Sequence, residues 1–117
     1  MISQLKFVGI PVRDQDRALA FYRDKLGFKI HTDQPMGKQR WIELKIPGAE
    51  TMLVLFPRPD HVPGESPAIS FSADSVRGTY DELRAVGVEF TTPPKKEHWG
   101  EHAIFKDSEG NLILFAK

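Results

Sequence analysis

The chain has 117 residues and 40% hydrophobic content, enough for one globular domain or two very small units sharing a core, and too apolar for disorder. Sixteen Lys and Arg balance sixteen Asp and Glu, and this zero formal charge argues against nucleic acid or an anionic membrane as the main partner. Without cysteine there is no disulfide framework, thiolate nucleophile or Cys-ligated metal, and no apolar run approaches membrane-spanning length, so a cytoplasmic protein is expected.

Residues 5–12 read as a strand with Val8, Ile10 and Val12 on one apolar face and Leu5, Phe7 and Gly9 on the other. Asp14 is placed to cap a helix whose stripe is Ala18, Leu19, Tyr22 and Leu26, and Gly27 stops it. Strands follow over residues 28–32, 40–46 and 51–56, the last two joined through Pro47-Gly48. Residues 57–67 hold four prolines in eleven positions and read as a linker. The second half opens with a strand over residues 68–73. A helix from about Ser75 then carries Val76, Tyr80, Leu83 and Val86 on one face and stops at Gly87. Residues 88–91 read as a strand and Thr92-Pro93-Pro94-Lys95-Lys96-Glu97 as a loop. Strands over 102–106 and 112–116 are joined by Asp107-Ser108-Glu109-Gly110-Asn111, where Gly110 is expected at positive φ.

The two halves repeat. Asp14, Arg17 and Gly27 recur 60 positions later as Asp74, Arg77 and Gly87, with an amphipathic stretch between Asp and Gly each time. The expected organisation is α+β, two tandem βαβββ modules over about 1–56 and 68–117, with 57–67 as the linker of a single domain.

Val12-Arg13-Asp14 opening the first helix, Phe21-Tyr22 and Leu26-Gly27-Phe28 closing it, and the turn from Asp107 to Asn111 resemble the vicinal oxygen chelate superfamily. That superfamily contains glyoxalase I, extradiol dioxygenases, and fosfomycin and bleomycin resistance proteins. The resemblance covers essentially the whole chain. It implies a mixed sheet curled into a cup, helices on its outer face, and a homodimer with two sites. It also implies that metal ligands, where present, stand on the first and last strands of each module. Those positions here are Phe7, Leu55, Ala68 and Leu114, none of them a donor, and their neighbours in sequence offer none either. No metal and no cofactor are therefore expected.

Among other candidates, His98 and His102 lie in a stretch that Gly100, Pro93 and Pro94 keep from being helical, and in a strand they would stand roughly 13 Å apart. No serine sits in a nucleophile elbow, no glycine loop cradles phosphate, and Asp14 and Asp16 are accounted for as helix-cap and first-turn residues. If the metal positions mark the cup interior, alternation turns Leu5, Phe7 and Gly9 inward, with Thr51, Leu53 and Leu55, Ala68, Ser70 and Ser72, and Leu112, Leu114 and Ala116. Trp41 and Glu43 join them if Ile42 and Leu44 pack under the first helix, and the corresponding strand adds His102, with Trp99 before it. The expected ligand-binding set is Phe7, Trp41, Glu43, Leu55, Ser70, Trp99 and His102, and the expected function is metal-free binding of a small apolar or aromatic molecule. Two alternatives stand beside it. One is a glyoxalase-like lyase, isomerase or dioxygenase-type enzyme using Glu43 or His102 in acid–base chemistry or an atypical metal site, and the other is a dimer whose cup is simply filled.

Overall fold

The computed structural model describes all 117 residues, which divide into two compact units, Met1–His61 and Val62–Lys117. Each is a βαβββ module carrying one four-stranded mixed sheet. The first contains β1 (Phe7–Val12), helix α1 (Gln15–Ala20) continued by a π-helical turn over Phe21–Lys25, β2 (Lys29–Met36), β3 (Gln39–Lys45) and β4 (Met52–Pro57). The sheet order is β1-β4-β3-β2, with β1 parallel to β4 and the remaining pairs antiparallel. Asp14 caps α1 by accepting from the Arg17 backbone N–H at 3.0 Å, and Gly27 ends the helical segment at φ 76°. Helix α1 packs on β4, and Ala18, Leu19, Phe21, Tyr22 and Phe28 are buried together with Ile10, Val12, Ile42, Leu44, Leu53 and Leu55. Burying that apolar surface is the main driving force for the unit.

The second unit contains β5 (Ile69–Ser72), α2 (Val76–Ala85), β6 (Phe90–Glu97), β7 (Gly100–Lys106) and β8 (Leu112–Ala116), in the order β5-β8-β7-β6 with β5 parallel to β8. Its core joins Val76 and Leu83 of α2 to Ala103, Phe105, Ile113 and Phe115. Phe90 stands edge-on to Tyr80 at 4.6 Å. Asp107 organises the last turn: its Oδ1 accepts from the Glu109 and Asn111 backbone N–H groups, both at 2.8 Å, and its Oδ2 accepts from the Asn111 side chain at 3.0 Å. Gly110 has φ 86°, and a Cβ there would meet Pro63 at 3.0 Å.

Three sequence expectations are corrected. The recurrence of Asp14 as Asp74 implies an Asp-initiated helix in each copy, but the cap of α2 is Ser75, whose hydroxyl accepts from the Gly78 N–H at 3.0 Å, and Asp74 lies outside the helix. The interval from cap to closing glycine is thus one residue longer in the first module than in the second, and the π-helical turn absorbs the extra residue. The expected loop at 92–97 is strand β6. Its two prolines are tolerated because β6 is an edge strand, and the register shifts twice there, between Phe90 and Thr92 and between Thr92 and Lys95. Third, Leu53 and Leu55 do not share a face with Phe7. They pair with Val8 and Ile10, are fully buried, and point to the helix side, whereas Met52, Val54 and Phe56 lie on the face of Phe7 and Gly9.

Candidate functional site

In the first unit the side of the sheet away from α1 carries Phe7, Gly9, Val54, Phe56, Trp41 and Glu43, because residues paired across strands share a face. Three rings cluster there. Trp41 meets Phe7 and Phe56 edge to face, at 5.7 Å and 83° and at 5.7 Å and 79°, so the indole spans β4 between β3 and β1. Val54 on that face is fully buried. Phe56 leans over Gly9, where a Cβ would stand 3.1 Å from its ring, which is why a residue without a side chain occupies the middle of this strand. Phe7 and Phe56 nevertheless remain 36% and 40% exposed, leaving an open aromatic surface. Glu43 is half-buried beside Trp41 on the same face.

Of the expected set, Phe7, Trp41 and Glu43 thus stand on one face, while Leu55 is turned away from it. Phe56 takes the place that sequence reasoning gave to Leu55. The residues Met52 to Phe56 are apolar without interruption, so alternation has no polar member to fix the phase, and Gly9 was the one local signal of a close approach.

In the second unit, Ser70 is exposed on β5 and shares its face with Leu114, Ile104 and His102. His98 and Trp99 form the two-residue turn between β6 and β7, which puts the half-exposed indole flat against His102, with centroids 5.0 Å apart and planes 29° apart. His102 is only 8% exposed and its Nδ1 is buried without a hydrogen-bond partner, the kind of cost that an ordinary core residue avoids. By register and face, His102 stands in the second module where Trp41 stands in the first.

The positions of β1, β4, β5 and β8 on the sheet faces away from the helices do not fit a metal. Phe7, Val54, Phe56, Ser70 and Leu114 supply no imidazole or carboxylate, and nowhere do three His, Asp or Glu side chains gather into a group able to hold an ion. On the helix side of the first sheet a polar cleft of about 330 Å³ opens between the start of α1, the β2–β3 turn and Pro57. Gln15 at its base donates to the carbonyls of Arg40 and Leu55 at 2.7 and 3.1 Å and accepts from the Arg40 N–H at 3.1 Å. The Arg40 guanidinium is held by both Asp33 oxygens, each at 3.1 Å, and by Asp16, which raises its pKa further above the ordinary arginine value. That cleft is a structural knot. No helix of the chain is long and apolar enough to cross a membrane.

The chain is 38% identical to the uncharacterized protein YetH of Bacillus subtilis (strain 168) over 97% of its own length and 98% of that protein. Among solved structures it resembles TnmS3, an antibiotic binding protein from Streptomyces sp. CB03234, with 34% identity, a TM-score of 0.87, and 98% and 95% of the two chains covered. UcmS2 gives 32% identity and a TM-score of 0.86 over 99% and 98%. The family model of the glyoxalase, bleomycin resistance protein and dioxygenase group matches residues 4–115, so both βαβββ modules fall inside it. With the duplicated architecture and whole-length relatives in agreement, the chain belongs to the Glyoxalase/Bleomycin resistance protein/Dioxygenase superfamily.

Proposed function

We propose that this protein is a metal-independent, homodimeric, cytoplasmic binder of a small apolar or aromatic molecule, acting by sequestration. The observation that carries the reading is the open cluster of Phe7, Trp41 and Phe56 on the sheet face away from the helix. Rings stacked edge to face on a rigid strand scaffold suit a planar or apolar ligand, and the bound molecule would remove the exposed surface from water. In the second unit, Trp99 stacks on His102, whose sheet face also carries Ser70. The antibiotic-binding role of the similar TnmS3 points the same way. The donor-free inner positions support chemistry without a metal, and the apolar surface supports a second subunit as its cover.

A second reading, acid–base turnover by Glu43 or His102, draws on the buried and unpartnered Nδ1 of His102. Native mass spectrometry of freshly purified protein tests the main reading. The expected result is a dimer without stoichiometric metal that takes up aromatic compounds in a saturable way and returns them unchanged. A monomer, one Zn, Ni, Mn or Fe per chain, or consumption of the compound contradicts it.

A further inference from the structure

The aromatic face of the first sheet carries one carboxylate that nothing in the structure answers. Glu43 is half-buried, and its carboxylate has no ion pair and no hydrogen bond, although Lys45 follows it on the same face of β3. Its on-face neighbours are Trp41 along the strand, Val54 across on β4 and Thr32 across on β2. A carboxylate that loses part of its hydration against apolar surface without gaining a cation carries an uncompensated cost. The other basic groups do not supply one. Lys45 is exposed and stands opposite Lys29 at the strand ends, and Arg40, next in sequence to Trp41, points to the other face and is committed to Asp33 and Asp16. The ring faces beside Glu43 carry negative quadrupole potential, so carboxylate and rings favour the same sign of partner.

We propose that this surface selects ligands joining a planar aromatic body to a protonated amine, the rings lying against the cluster of Trp41, Phe7 and Phe56 and the cation meeting Glu43. The inference rests on the small-molecule reading above and narrows it. A neutral or anionic ligand of the same shape would further desolvate the unpaired carboxylate, so the charge rejects such ligands as well as attracting cations.

The test is a calorimetric titration with one ring system in three charge states: 2-naphthylmethylammonium, 2-naphthylmethanol and 2-naphthoate. The amine should bind at least about ten-fold more tightly than the alcohol, as a charge-assisted hydrogen bond implies, and the carboxylate more weakly than both. Glu43→Gln should collapse the difference between amine and alcohol, and Glu43→Lys should reverse the order of amine and carboxylate, each with an unchanged circular dichroism spectrum. Equal affinities for amine and alcohol, or a preference that survives Glu43→Gln, overturn the inference while leaving aromatic binding in place. Absence of saturable binding by all three compounds overturns both the inference and the reading on which it rests.

Discussion

At the scale of single residues, caps and turn acceptors decide where each element starts and stops. Ser75 holds the first turn of α2 through the Gly78 N–H, while Asp74 is exposed and outside the helix, so Ser75→Ala should cost about 1 kcal/mol in urea unfolding and Asp74→Ala close to nothing. Equal costs would return the cap to Asp74. Asp107 is 6% exposed, and its carboxylate accepts from the Glu109 and Asn111 backbone N–H groups, which are otherwise left in the interior, and from the Asn111 side chain. Asp107→Ala should therefore destabilise by about 2–4 kcal/mol, measured the same way, and a loss under 1 kcal/mol would contradict its role as organiser of the turn. The residue scale is also where sequence reading was weakest. Phe7, Trp41 and Glu43 were legible because strands β1 and β3 alternate, with Ile42 and Leu44 plainly apolar between Trp41, Glu43 and Lys45. Phe56 was not, because β4 is apolar on both faces and a one-residue error in phase exchanges every side chain between core and open face.

At the scale of elements, the duplicated pattern made the order β-α-β-β-β readable twice, since periodicity, caps and glycine stops agree in each copy. What escaped was irregular. The π-helical turn and the second register shift of β6 each absorb one residue, and neither has a propensity signature; Pro93 and Pro94 read as loop because only the pairing reveals that they lie on an edge. The link between α1 and the β2–β3 hairpin is the Arg40 knot. Arg40 and Asp33 form a two-pronged pair with side chains 31% and 29% exposed, whereas Asp16 is 83% exposed. Arg40→Lys should lose the fork and cost about 1 kcal/mol, and Asp33→Asn should cost more than Asp16→Asn, whose exposed pair is worth little. Chemical denaturation of the three variants checks this ranking, and a larger loss for Asp16→Asn would reverse it.

At the scale of the whole molecule, the chain is an α+β duplication of the superfamily, and each unit carries apolar residues on both faces of its sheet. On the sheet faces away from the helices, Phe7, Val54, Phe56, Ser70 and Leu114 offer no imidazole or carboxylate to a metal, which is what the metal-free proposal rests on. On the proposed reading the function is binding, centred on Trp41. The most direct test is a fluorescence titration of a Trp99→Phe variant, in which Trp41 is the sole indole, against planar aromatic compounds. Saturable quenching is predicted, with Trp41→Ala weakening calorimetrically measured binding by about 1–3 kcal/mol while the oligomeric state is unchanged. A Trp41 signal that stays flat across the panel, together with full affinity in Trp41→Ala, would contradict the account.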